Sequence, residues 1–277
     1  MNGWTADGFF RWIREKKIAF IGVGVTNTDC IRLFAQKGAK ITLLDRKNRE
    51  ALGELAEEFD RIGVEMVLGE GYLDDLCRYD AVFRAPGMYF NHPALKKARE
   101  EGAVITSEME MFFTLCPCKI YAVTGSDGKT TTTTLISEML ASSGKTVHKG
   151  GNIGRALLPI IETISPDDAA VVELSSFQLM TVTRSPEIAV ITNITPNHLN
   201  WHTDMAEYVA AKRRIFTQGA KRLVQSGSLA DVGGDLSTTR FSATEREILL
   251  TDENGTCRYP IPAEFRLPGR YNRENLA

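Results

Sequence analysis

Long apolar runs are missing from this 277-residue chain. Hydrophobic residues make up 43% of it, but glycine or charge interrupts every stretch well short of the roughly 20 residues a membrane-spanning helix needs. A helical membrane protein is excluded, and no membrane partner is expected. An excess of positive charge is missing as well. With 33 Lys and Arg against 35 Asp and Glu, there is no sequence-wide basic field to hold a phosphate polymer by counterion release. No nucleic-acid partner is expected. Low-complexity tracts and internal repeats are absent, and 23 Gly with 10 Pro is ordinary globular composition, which rules out disordered, collagen-like and coiled-coil chains.

Cysteine is sparse and odd in number: Cys30, Cys77, Cys116, Cys118 and Cys257. The one close pair is Cys-Pro-Cys, without the two-residue spacer of zinc or redox motifs. These are expected to be reduced thiols in a cytosol. The N-terminus carries Trp4, Asp7 and a charged run from Arg11 to Lys17, with no apolar core of about 7 to 15 residues ahead of a small-residue cleavage site. With no export signal visible, a cytoplasmic location is expected.

What is present is a repeating order of apolar strand, glycine turn and amphipathic helix. KIAFIG from Lys17, a helix over Asp29 to Lys37, KITLLD, a helix-like NREALGELAEEFDRIG and VEMVL make a βαβαβ beginning. Strands at Ala81 to Arg84 and Ala103 to Thr106 follow, with a helix opening at His92-Pro93 between them. Ser107-Glu-Met-Glu110 reads as a capping box starting a short helix, and the domain boundary is placed near it, giving domains 1–108 and 109–277. A second strand series runs through Lys119 to Thr124, Ala169 to Leu174, Ile188 to Ile191 and Arg222 to Gln225, and a hairpin signal stands at Asn254-Gly255. The expected class is α/β, with parallel sheets covered on both faces.

The first glycine turn, Gly22-Val-Gly24-Val25-Thr26-Asn27, follows a strand, and Asp45 ends the next strand. This is where a dinucleotide fold places an acid for a ribose hydroxyl. Asn27 replaces the third glycine, so NAD, a purely structural turn and another nucleotide or nucleotide sugar all stay open. The sharper signal is Gly125-Ser126-Asp127-Gly128-Lys129-Thr130-Thr131 between a strand and a helix. Glycine-loop N–H groups, a helix N-terminus and one lysine converge there on phosphates, and the Thr130 hydroxyl can ligate Mg²⁺. Val123 stands where the standard phosphate-loop pattern has its first glycine.

Three further segments place polar groups at the C-terminal ends of strands, where open α/β sheets keep their ligands. They are Gly150-Gly-Asn152-Ile-Gly154, Glu173-Leu-Ser-Ser-Phe-Gln178 and Asn193-Ile-Thr-Pro-Asn197-His198. Glu173 is a hard oxygen ligand suited to Mg²⁺. His198 is either structural or part of the site. Tyr208, Lys212 and Phe216 share one helical face with Ala211 and Ile215 nearby. Lys212 therefore either snorkels or, partly buried, has a depressed pKa and a free amine. Arg213 and Arg214 read as a solvated face, and Met109 to Phe113 as core.

TGSDGKTT, GGNIG, ELSSFQL, NITPNHL and YVAAKRRIF, in that order, resemble the Mur ligases of peptidoglycan synthesis, and ELSSFQL is similar to the form in the D-glutamate-adding branch. The resemblance implies a Rossmann-like N-terminal domain holding a UDP substrate and a central phosphate-loop ATPase domain. It implies UDP-N-acetylmuramoyl-L-alanine, D-glutamate and ATP as substrates, the first two joined through an acyl phosphate made with ATP; a monomer is expected. Val25, Thr26, Asp45 and Arg46 would contact the uridine nucleotide and Gly87 its diphosphate. Lys129 would hold the β- and γ-phosphates, Thr130 and Glu173 one Mg²⁺, His198 a second Mg²⁺, and Asn152 the muramoyl substrate. Lys212 matches the family lysine that takes up CO₂ as a carbamate and helps hold that second ion. Asn200 departs from the family, which often has Asp there. The family's third domain would follow the segment Gly269 to Asn275, so this length of chain is expected not to complete ligation at an enzyme-like rate. A non-catalytic nucleotide-sugar-binding module is the alternative.

Overall fold

A computed structural model describes residues 4–196, 202–230, 233, 236–267 and 269–277. The chain divides into two compact units, residues 1–115 with 155–163, and residues 116–154 with 164–277.

The first unit holds a five-stranded, wholly parallel sheet: β1 (Lys17–Ile21), β2 (Lys40–Asp45), β3 (Glu65–Leu68), β4 (Ala81–Arg84) and β5 (Val104–Thr106). Their order is β3-β2-β1-β4-β5. The strand order runs outward to one side from β1 to β3 and to the other from β4 to β5, and between β1 and β4 lies the switch point at which such sheets open a crevice. Its helices are α1 (Ala6–Arg14), α2 (Val25–Gln36), α3 (Arg49–Leu52), α4 (Glu54–Arg61), α5 (Pro93–Glu100) and α6 (Glu108–Leu115). An aromatic cluster fixes α1 and α2 to the sheet: Phe20 stacks on Phe83 at 4.7 Å between centroids, and Phe34 meets Phe83 edge-on at 5.2 Å and Phe9 at 5.5 Å. Burying a phenylalanine of this kind contributes roughly 1.5–3 kcal/mol.

The second unit is built on an eight-stranded mixed sheet. Its strands are β6 (Lys119–Thr124), β7 (Val147–Gly151), β8 (Ala169–Glu173), β9 (Ile188–Ile191), β10 (Arg222–Ser226), β11 (Thr238–Ala243), β12 (Glu247–Asp252) and β13 (Gly255–Pro260). The order is β13-β12-β11-β10-β9-β6-β8-β7, parallel from β7 to β11 and antiparallel at β12 and β13. Helices α7 (Lys129–Ser142), α8 (Ser176–Leu179), α9 (Met205–Thr217) and α10 (Arg270–Leu276) complete it. Five consecutive threonines, Thr130 to Thr134, open α7 despite their low helix propensity, because the helix packs on β6, β7 and β8. No helix among the described residues is long and apolar enough to cross a membrane.

Several expectations shift. The two compact units divide after α6, since α6 packs on α2 and on the 3-10 turn Leu158–Thr163. Ser107 does cap α6, its Oγ accepting from the Glu110 N–H at 3.2 Å. The helix expected over NREALGELAEEFDRIG is two helices, because Gly53 takes φ 55° between α3 and α4. The hairpin turn is Glu253-Asn254, one residue before the expected pair, with Asp252 opposite Gly255. Helix α1 and strands β7 and β11 have no counterpart in the sequence reading: α1 hides in a charged segment, and β7 is polar and glycine-rich.

Candidate functional site

The phosphate loop joins β6 to α7. Gly125 has φ +156°, and a Cβ there would lie 1.9 Å from Thr192 Oγ1. Gly128, at φ +79°, caps α7 in the left-handed region. The loop is tied to the end of β9 by Asn193, whose Oδ1 accepts from the N–H groups of Ser126 at 3.0 Å and Asp127 at 2.8 Å. Ser126 Oγ bonds the Tyr208 hydroxyl at 3.0 Å and accepts from the Thr195 N–H at 2.9 Å. Lys129 Nζ folds back onto the carbonyls of Gly125 at 3.0 Å and Ser126 at 2.8 Å. A cation and the N-terminus of a long helix thus stand together, the standard physical recipe for binding phosphate.

Beside the loop, Glu173 ends β8 almost wholly buried, at 1% exposure. Its Oε2 accepts from the Thr130 hydroxyl at 2.7 Å and its Oε1 from Asn152 Nδ2 at 2.9 Å. Gly151 permits this approach: at φ +102°, a Cβ would sit 2.2 Å from the Glu173 carbonyl oxygen. A hydroxyl and a carboxylate at this spacing are hard oxygen donors, the chemistry Mg²⁺ prefers.

Lys212 is buried at 2% exposure on the inner face of α9. Its Nζ donates to the Gly125 carbonyl at 2.6 Å and lies 4.6 Å from the centre of the Tyr208 ring. Burial first, and the nearby Lys129 charge second, lower its pKa to about 7, against a smaller opposing effect of Asp127. Snorkelling is therefore excluded by the geometry. Two lysines converge on one carbonyl oxygen, that of Gly125.

In the first unit a cavity of about 510 Å³ opens at the C-terminal edge of the sheet, with Gly22, Asp45, Arg46 and Gly87 in its lining. Asp45, 5% exposed, accepts from the Val23 N–H through Oδ2 at 3.0 Å and from the Lys47 N–H through Oδ1 at 2.8 Å. Asn27 explains the missing glycine: its buried amide donates to the Ile21 and Gly22 carbonyls at 2.9 and 3.1 Å, tying the helix start to the strand end.

The structure thus brings together Gly125 to Thr131, Asn152, Glu173 and Lys212 in one unit, and Asp45, Arg46 and Gly87 around one cavity in the other. Val25 and Thr26 open α2 at the cavity's margin without lining it, Val25 being 72% exposed. His198, Asn197 and Asn200 lie outside the described residues. Arg214 is not on a solvated face: its Nε and Nη2 donate to the carbonyls of Leu179 and Val182, both at 2.9 Å, closing the end of α8. Sequence reasoning missed Asn193 as the tie to the loop, Tyr208 as a partner of Ser126, and Tyr72, Tyr89 and His92 in the first cavity. Asn193 directly follows a buried strand beside the loop, and that position was its one available signal.

A switch-point crevice in one parallel sheet and a glycine loop beside an acid at a strand end in a second define an α/β protein of two units, each with its candidate site at the C-terminal ends of its strands. The comparisons narrow this class. The Mur ligase middle domain matches residues 123–226, and the Mur ligase MurD-like N-terminal domain matches residues 16–107. The chain belongs to the Mur ligase family. It is 44% identical over 286 aligned positions to a UDP-N-acetylmuramoylalanine--D-glutamate ligase of Clostridium kluyveri, covering 98% of this chain and 62% of that one. It is 52% identical to the protein of the same name from Clostridium botulinum strain Langeland, covering 97% of this chain and 61% of that one. The chain therefore spans about 62% of the length of the curated relatives it matches. The fold is shared with the UDP-N-acetylmuramate:L-alanyl-gamma-D-glutamyl-meso-diaminopimelate ligase of Neisseria meningitides, with a TM-score of 0.56 at 16% identity over 94% of this chain and 90% of that one.

Proposed function

We propose that this chain carries the substrate-binding and ATP-binding domains of an ATP-dependent ligase that joins D-glutamate to UDP-N-acetylmuramoyl-L-alanine in peptidoglycan precursor synthesis. The observation that carries the reading is the arrangement of Lys129, Thr130 and Glu173 around a glycine loop, in a chain whose relatives bear that ligase name. The first unit takes the UDP group, through Val25, Thr26, Asp45, Arg46 and Gly87. Asp45 is already engaged with two backbone N–H groups, so it shapes the turn that meets the nucleotide as much as it offers a charge.

The chemistry follows from charge. A carboxylate is a poor acyl donor, so the γ-phosphoryl of ATP passes to the substrate carboxylate, and the amine of D-glutamate displaces phosphate from the acyl phosphate to leave ADP, phosphate and an amide. Lys129 supplies a fixed positive charge at the transferring group, and the loop N–H groups and the N-terminus of α7 orient the phosphates. Thr130 and Glu173 fit Mg²⁺ by their donor chemistry, and the ion would neutralise charge on the phosphates there. Asn152 holds Glu173 in place and is assigned to the muramoyl substrate. Lys212, with His198, is assigned to a second Mg²⁺ as a carbamate. A pKa of about 7 leaves the amine substantially neutral at neutral pH, which uptake of CO₂ requires.

The test is thermal denaturation with each ligand in turn, because a ligand that binds only the folded state stabilises it by RT ln(1 + [L]/Kd). UDP-N-acetylmuramoyl-L-alanine and Mg²⁺-ATP should each raise the melting temperature, and NAD should leave it unchanged. Stabilisation by NAD and not by the UDP-sugar would overturn the reading.

A further inference from the structure

The Cys116-Pro117-Cys118 connector lies between α6 and β6, and the nucleotide chemistry gives it no role. Cys116 Sγ stands 3.5 Å from Cys118 Sγ and 3.7 Å from the Cys118 carbonyl oxygen, so both sulfurs point to the same side of the turn. Pro117 contributes a fixed φ and no N–H, holding the turn without a backbone bond of its own. Strand pairing begins only at Lys119, opposite Ala169, so the connector can tighten without breaking the ladder. A disulfide has an S–S separation of about 2 Å and Cα atoms about 4.4–6.8 Å apart. From 3.5 Å the sulfurs would have to close by about 1.5 Å to reach that bond length.

The two thiols are also unequal. Cys116 is half-buried and Cys118 buried. The S–H of Cys116 lowers the pKa of Cys118, aided by the Ala170 N–H, while donating it raises that of Cys116. The Asp168 carboxylate, paired with His148 at 2.8 Å, opposes ionisation of both.

We propose that Cys116 and Cys118 form a reversible dithiol–disulfide pair, a modification site whose oxidant is a small-molecule or protein disulfide. Cys118, whose thiolate the Cys116 S–H stabilises, attacks one sulfur of the oxidant, forming a mixed disulfide and releasing one thiolate. Cys116 then attacks Cys118 Sγ, forming the Cys116–Cys118 bond and releasing the second thiolate. The two protons lost by the cysteines protonate the two released thiolates, so two thiols are oxidised and one external disulfide is reduced. The second step is intramolecular, and a short tether gives it an effective concentration in the millimolar range or above.

The experiment equilibrates the folded chain with glutathione and glutathione disulfide at increasing ratios. Acid quenching, alkylation and tryptic mass analysis follow. Residues 100–119 form a tryptic peptide that contains both cysteines and no other. In the wild type this peptide should lose the mass of two hydrogen atoms and carry no glutathione, at a ratio about tenfold below that which half-modifies exposed Cys257. Excess reduced glutathione should reverse it. Cys118→Ser and Cys116→Ser should each leave glutathione on the remaining sulfur. A lasting glutathione adduct on the wild-type peptide, or two alkylatable thiols at the ratio that half-modifies Cys257, would overturn the proposal. Both outcomes are read on the wild type, so neither depends on the variants folding.

Discussion

Both units run from strand through glycine turn to helix, yet they treat the turn oppositely. In the first, no lysine follows the glycines. The acid at the end of β2 is spent on the N–H groups of Val23 and Lys47, and Asn27 seals the strand end. In the second, two lysines crowd one carbonyl oxygen, and a buried acid beside the loop accepts from a hydroxyl and an amide. The first turn is finished as architecture, its acid and amide both held by backbone groups. The second keeps the Lys129 ammonium on two loop carbonyls, contacts that a phosphate group could replace. The same local grammar therefore serves a closed turn or a charge clamp, according to which side chains reach its carbonyl and N–H groups.

The largest expected effect separates the two turns sterically. Gly125→Ala puts a Cβ 1.9 Å from Thr192 Oγ1 and 3.2 Å from the Asn193 nitrogen, at a φ that disfavours side chains. It should cost about 3 kcal/mol or more in denaturant unfolding. Gly24→Ala, with nothing within 4 Å, loses only the glycine preference at a helix cap and should cost less than about 1 kcal/mol. Equal costs would erase the distinction.

Each unit also buries a titratable group whose pKa burial shifts, Glu108 in the first and Lys212 in the second, and their pH signs oppose. Lys212 has its folded pKa lowered to about 7, so between pH 7 and its ordinary value the unfolded chain binds more protons and stability rises with pH. Relative to Lys212→Met, the wild type should gain about 2 kcal/mol between pH 7 and 9 in urea melts. Glu108, in the first unit, is raised to about 6 by burial, against the Leu158 and Leu157 N–H groups that its Oε1 accepts. Its contribution is full below its ordinary pKa and is lost as pH rises through 6. Relative to Glu108→Gln, which keeps an acceptor, the wild type should lose roughly 1 to 2 kcal/mol between pH 4.5 and 6.5. Slopes of the same sign would mean that burial does not govern both groups.

The parallel strands were legible because their apolar runs are short, buried on both faces and punctuated by glycine, as in KIAFIG and KITLLD. The phosphate loop was legible because its residues are contiguous. Asn193 and Tyr208 were not, because they meet Ser126 across 67 and 82 positions of sequence, and no local spacing encodes such a contact. Arg214 looked exposed from helical periodicity, yet α8 supplies carbonyls that its guanidinium closes. Helix α1 was hidden because its apolar residues, Phe9, Phe10 and Ile13, are interleaved with charges.

The charge clamp is tested most directly by calorimetric titration of Mg²⁺-ATP into the wild type and into Lys129→Ala. Removing Nζ deletes the cation that now rests on the Gly125 and Ser126 carbonyls and would otherwise meet phosphate. Affinity should fall more than about tenfold, or about 1.4 kcal/mol, while the melting temperature without ligand changes little. Equal ATP affinity in the two proteins would contradict the account.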